Sequence, residues 1–87
     1  MRFSHILVKQ KFEAEDIERK LKSGSSFEDL ARKFSSCGSA SAGGDLGAVS
    51  LSRFDVDFSE AAQILKVGEV SPPTRTKFGY HLIRRTE

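Results

Sequence analysis

The side chains in this sequence best suited to nucleophilic attack or proton exchange near neutral pH are one cysteine, Cys37, and two histidines, His5 and His81. A cysteine attacks as thiolate and needs a nearby base to become one. An imidazole gains or loses its proton near neutral pH. Cys37 lies in the most unusual stretch of the chain, Phe34 to Phe58, FSSCGSASAGGDLGAVSLSRFDVDF. There a cysteine, a small-residue loop ending in Gly43-Gly44-Asp45-Leu46-Gly47, and two spaced phenylalanines, Phe54 and Phe58, occur together. This mixture of polar side chain, permissive backbone and aromatic rings reads as one wall of a small peptide-binding cleft.

Each of these residues also has a plainer use. Cys37 can be a small packed hydrophobe, a nucleophile, or a noncovalent polar group lining a cleft, and a lone cysteine does not choose among them. Histidine in an apolar strand is more often a hydrogen-bonded structural residue than a ligand. His5 and His81 lack the carboxylate or cysteine spacing of a metal site. A thiol-protease triad needs a cleft and an oriented third group, for which a domain this small leaves little room. Phe58 suits a helix stripe, whereas Phe54 stands among Ser52, Arg53, Asp55 and Asp57, where an aromatic ring can wall a ligand pocket. The glycines at 43, 44 and 47 are not a phosphate loop, because no Lys-Ser/Thr pair or helix follows them directly.

The elements that must position these residues are legible from pattern. Residues 2–9, RFSHILVK, read as a strand with His5 on the face of Phe3 and Leu7, and with enough apolar residues on both faces to be central. Residues 12–23 read as a helix with Ala14, Ile17 and Leu21 in one stripe, stopped by Gly24. Ser25-x-x-Glu28 resembles a capping box, and Phe27, Leu30, Ala31 and Phe34 follow at helical spacing. From Ser36 to Gly44 the chain is Ser, Gly and Ala apart from Cys37, which reads as loop with room for one short helical turn. A short strand is expected from Leu46 to Ser50. Asp57-x-x-Glu60 is expected to cap a helix carrying Phe58, Ala61, Ala62 and Leu65, closed by Gly68. Val70 is expected to begin a brief strand, Pro72-Pro73 to turn, and Phe78 to Arg85 to form the final strand. Strand, two helices, loop, strand, helix and hairpin make an α+β sandwich on a mainly antiparallel sheet.

Totals narrow the function. At 87 residues, 38% hydrophobic and 30% charged, the chain is expected to form one domain, 1–87, with one compact core. A net charge of +2 from interspersed residues excludes a dedicated nucleic-acid binder; Arg84-Arg85, the one basic pair near the end, reads as a solvated strand end. No apolar run approaches the ~20 residues that span a bilayer. One cysteine makes no internal disulfide, and the first residues are too polar for a signal peptide, so a cytoplasmic monomer is expected.

Taken together, the motifs resemble the parvulin-type peptidyl-prolyl cis/trans isomerases. Phe27-x-x-Leu30-Ala31, Phe34-Ser35-x-Cys37 and Gly43-Gly44-Asp45-Leu46-Gly47 are similar to that family's signature. Ser4 to Lys9 resembles its opening strand, and Val67 to Ser71 with Thr76 to Ile83 resembles its ending. The resemblance covers essentially the whole chain in order. It implies four antiparallel strands wrapped by about four helices and a shallow cleft on the open side of the sheet. It implies that His5 and His81 lie adjacent on the cleft floor, that Thr76 orients them, and that Cys37 occupies a position held by Cys or Asp. It implies that Leu46, Phe54 and Phe58, with Phe78, receive a proline ring. The implied activity is noncovalent rotation of X-Pro bonds in proline-containing polypeptides, without cofactor or metal; a catalytically weak peptide-binding or chaperone module of the same fold is the alternative.

Three departures bear on specificity. Only Lys9, Gln10 and Lys11 separate the first strand from its helix, where the phospho-directed branch carries a longer basic loop, so strong phosphoserine/phosphothreonine selectivity is not expected. A two-oxygen phosphate clamp would want paired arginines. Asp57 replaces a proline common before the pocket phenylalanine, where it is expected to cap the helix, and Val49 stands where a bulkier aromatic is frequent.

Overall fold

The computed structural model describes residues 1–48 and 50–87. Strand β1, Arg2–Val8, lies inside a four-stranded sheet and is buried on both faces because helices cover both sides of it. It pairs antiparallel with β2 (Asp45–Ala48) on one side and with β4 (Gly79–Arg85) on the other, and β3 (Thr74–Thr76) completes the edge beside β4. The order across the sheet is β2-β1-β4-β3.

Alternation along the two inner strands divides the core in two. Ile6, Val8 and Leu82 point to one face and pack against Ala14 and Ile17 of α1 (Lys11–Lys22) and Phe27, Leu30 and Ala31 of α2 (Phe27–Phe34). Phe3 and Ile83 point to the other face, where Phe58 and Ala62 of α3 (Val56–Gln63) and then Leu65 cover them. Two 3-10 turns, Gly38–Ala42 and Leu51–Arg53, bracket β2. The α+β class, the central position of the first strand and the helical turn inside the small-residue loop agree with the sequence reading.

Several local expectations need correction. Helix α2 is capped by Ser26, whose Oγ accepts the Asp29 N–H at 3.3 Å, and not by Ser25. The Glu28 carboxylate does not reach back to the cap N–H; it takes the Ser26 hydroxyl and an ion pair with Arg84 of β4. Helix α3 is capped by Asp55, which accepts the Asp57 N–H at 2.9 Å; Asp57 therefore lies inside the first turn. That helix ends at Gln63, and Leu65 is buried just beyond it. Gly68 ties the following loop to the sheet by donating its N–H to Arg85 O at 2.7 Å.

Val70 forms only an isolated bridge with Arg84, because the two prolines after it lack the N–H that would extend a ladder. The strand resumes at Thr74. Thr76 pairs with Gly79, so Lys77 and Phe78 are the two-residue tip of the β3–β4 hairpin and Phe78 is not the start of a strand. The expected strand from Leu46 to Ser50 is seen as Asp45–Ala48; Val49, and the aromatic comparison made for it, lie outside the described residues.

Candidate active site

Register brings the two histidines together. In the β1–β4 ladder His5 pairs with Ile83 and Leu7 with His81, so His5 and His81 are diagonal neighbours on the face turned toward α3. Their Nδ1 atoms are 3.1 Å apart and their rings are nearly parallel, with centroids 5.2 Å apart. Each outer nitrogen has its own partner. His5 Nε2 lies 3.2 Å from Ser39 Oγ in the first 3-10 turn, and His81 Nε2 lies 2.8 Å from Thr76 Oγ1 on β3. Thr76 Oγ1 is itself fixed by the Phe78 N–H at 3.2 Å.

This chain of four side chains couples the tautomers. Only one proton fits between two facing Nδ1 atoms, so a hydrogen on His81 Nδ1 requires a bare Nδ1 on His5, and the reverse. The outer hydroxyls can accept or donate to suit either arrangement. Both rings are buried. Burial, followed by the neighbouring His81, lowers the His5 pKa from 6.5 to about 4. Burial also lowers that of His81, against an opposing pull from the Asp55 carboxylate. The pair is therefore neutral at physiological pH.

Above the histidines is a cleft of about 240 Å³ whose walls are mostly apolar. Phe58 forms its floor and touches both imidazoles edge-on, with centroids 5.7 Å from His5 and 5.2 Å from His81. Phe54 stacks on Phe58 at 4.9 Å and is half-buried, while Phe78 stands exposed at the hairpin tip. Leu46 of β2 and Cys37 complete the wall on the side of the small-residue loop. The cleft thus brings together His5, Cys37, His81, Leu46, Phe54, Phe58 and Phe78, and Thr76 stands behind His81.

Cys37 is half-buried, and among the described residues its thiol has no hydrogen bond to either histidine. A base for making thiolate is therefore not in place. Of its three readings, a noncovalent polar wall residue fits this geometry.

Leu7, Asp55 and Ser39 belong to the site and were not singled out from sequence. Leu7 lines the cleft and was legible as a neighbour of His5 on the alternating face. Asp55 lines it because the cap of α3 faces the histidines. Ser39 carries no signal among so many serines.

The comparisons with known proteins agree with this geometry. Residues 5–87 match the rotamase family described as the PPIC-type PPIASE domain. The chain belongs to the parvulin family of peptidyl-prolyl isomerases. It is 53% identical over 88 aligned positions to the foldase protein PrsA of Bacillus subtilis (strain 168), covering 100% of this chain and 30% of that protein. The crystal structure of B. subtilis PrsA superposes on the whole parvulin chain with a TM-score of 0.97, and 34% of that chain is covered. The solution structure of NmPin, a parvulin of Nitrosopumilus maritimus, is 44% identical with a TM-score of 0.89, covering 100% of this chain and 95% of that one. The chaperone SurA of Burkholderia pseudomallei (strain 1710b) is 49% identical over 69 residues, 79% of this chain and 15% of that protein. This parvulin chain therefore spans about a third or less of the PrsA and SurA proteins that it matches.

Proposed function

We propose that residues 1–87 act as one domain that accelerates cis/trans rotation of X-Pro bonds in flexible polypeptide segments, assisting their folding. The observation that carries this reading is a mostly apolar cleft of about 240 Å³ floored by Phe58, with two facing histidines in its lining that share one proton. Rotation about a peptide bond meets a barrier of ~18–20 kcal/mol because resonance holds it planar. Twisting the bond ends that resonance and leaves a lone pair on the prolyl nitrogen and a more ketone-like carbonyl.

A site speeds this change by fitting the twisted amide better than either planar one. Leu46, Phe54, Phe58 and Phe78 grip the ring and exclude water. Cys37, His5, His81 and Thr76 set the polar surroundings of the rotating carbonyl. The coupled tautomers let the polar floor adjust its donors without taking on charge. No covalent bond forms, and each 1.36 kcal/mol of preference for the twisted state gives about tenfold in rate.

Exchange spectroscopy on a panel of X-Pro peptides tests this. Enhanced cis/trans exchange at catalytic protein concentration is expected; binding with unchanged exchange would overturn it. The likeness to a protein named a chaperone favours a second reading, in which the cleft holds proline segments and turns them over weakly. The same panel separates the two. A monomeric, cytoplasmic setting without nucleic-acid or membrane partners belongs to the proposal, and sedimentation and cell fractionation of the whole protein test it.

A further inference from the structure

Beside the proline cleft lies an open hollow of about 580 Å³ along the ends of β1, β3 and β4. Lys9, Arg75 and Lys77 line it, with Phe78 and Tyr80 between them, and among the described residues no carboxylate does. Register explains the clustering. Tyr80 pairs with Val8 on one side and with Arg75 on the other, which sets Lys9 and Arg75 on its two flanks. Lys77 is at the hairpin tip, its Nζ 5.3 Å from the centroid of the Phe78 ring.

These three cations are exposed and, among the described residues, have no ion-pair partner. Arg2, Arg19, Lys20, Arg32 and Arg84 are each matched by a carboxylate of the same chain. Lys11, Lys22, Lys33, Arg53 and Lys66, which like the three have no such partner among the described residues, do not line the hollow. The three positive charges of the hollow exceed the net +2 of the whole chain. Phe78 belongs to both the hollow and the proline cleft, so a side chain next to a bound proline comes within reach of these cations.

We propose that the domain prefers polypeptide segments with a carboxylate side chain, Asp or Glu, next to the proline, and that Arg75, Lys77 and Lys9 determine this preference. The inference rests on the neighbouring cleft being the proline site. A carboxylate is the matching anion because the hollow offers one guanidinium and two separate ammonium groups, not the paired arginines that clamp a phosphate.

The test uses short peptides with Glu, Ala, Lys or phosphoserine before proline, and a second set with the same residues after it. Binding is read by chemical-shift titration and turnover by exchange spectroscopy. At low ionic strength a Glu peptide of one set is expected to exceed its Ala counterpart by about fivefold in kcat/KM, the scale of one or two exposed ion pairs. The gap should close as salt shortens the screening length. In Arg75→Gln/Lys77→Gln the Glu peptide should fall to the level of Ala, with Ala turnover unchanged. In Arg75→Glu/Lys77→Glu the preference should move to Lys. Equal Glu and Ala rates in both sets, or a preference that survives these variants, would overturn the inference. Phosphoserine favoured over Glu by more than about tenfold would overturn the carboxylate assignment. Glu-dependent binding that the variants abolish, with no turnover of any peptide, would remove the isomerase reading and leave this one standing.

Discussion

His5 Nδ1 and His81 Nδ1 face each other at 3.1 Å across the β1–β4 ladder. Two like nitrogens at that distance attract only if one carries a hydrogen and the other does not. The pair is one proton-sharing unit whose ends are Ser39 and Thr76. Nitrogen NMR at neutral pH is expected to show one protonated and one bare Nδ1, or their rapid average, and no imidazolium. Replacing His5 with Asn removes the shared proton while keeping a polar group. Turnover of X-Pro peptides should then fall about a hundredfold to a thousandfold, the range for loss of one preorganised polar group. Peptide affinity should change much less.

The same burial makes the fold sensitive to acid. The His5 pKa is about 4 in the folded protein against an ordinary 6.5. Between those values the unfolded chain binds a proton that the folded chain does not, so stability falls as pH drops from about 6.5 toward 4. The loss attributable to His5 is on the order of 2–3 kcal/mol. His81, lowered in the same direction, adds to it. Urea titrations between pH 7.5 and 4.5 should show this decline, and His5→Asn should flatten much of it. Activity should stay level well below pH 6.5, where a solvated imidazole would already be charged.

Cys37 is a wall residue without a base, which sets a clear expectation for its variants. Cys37→Ser and Cys37→Asp should both keep exchange activity within about tenfold of the parent, since a polar group of similar size remains. Loss of all turnover in Cys37→Ser, with the fold intact by NMR, would restore an obligatory thiol step.

Most of the fold was readable because the sheet strands and helices bury on different periods. RFSHILV is a short apolar run buried on both faces, as a central strand is, and Phe27, Leu30 and Ala31 recur at helical spacing. The caps were misplaced by one or two residues because Ser25-Ser26 and Asp55-x-Asp57 each offer two chemically equivalent candidates. Tertiary contact chose between them, as in the capture of Glu28 by Arg84. The histidines could be seen as isolated residues but not as a pair, since only the β1–β4 register brings them together. Ser39 joined the network through the 3-10 turn, for which composition predicted a loop with a short helical turn but no orientation.

Phe54 and Phe58 are stacked yet should respond differently to truncation. Phe58 is 2% exposed and packs on Phe3 and Ile83. Phe58→Ala should cost about 3–5 kcal/mol of stability, as a cavity in the core. Phe54 is half-buried at the cleft wall, so Phe54→Ala should cost about 1 kcal/mol or less and act chiefly on KM. Thermal melts paired with peptide titrations separate these effects. A large stability loss in Phe54→Ala would place it in the core and not in the ring-binding wall.

Gly44 sets the distance between the small-residue loop and the histidines. Its carbonyl accepts the His5 N–H at 2.9 Å, its φ is +85°, and a Cβ there would sit 2.4 Å from the His5 carbonyl oxygen. Gly47 has φ +74° but, among the described residues, nothing within 4 Å of where a Cβ would stand. Gly47→Ala therefore meets only the backbone penalty of a left-handed residue, roughly 1–2 kcal/mol. Gly44→Ala meets that penalty and also pushes the loop away from β1 at His5. It should lose distinctly more stability than Gly47→Ala and, in the fraction that still folds, shift the imidazole resonances and lower turnover. Comparing the two variants isolates the steric contact from the shared backbone strain. Equal effects on stability, with unshifted imidazoles, would mean that the loop can move away from His5 without disturbing the site.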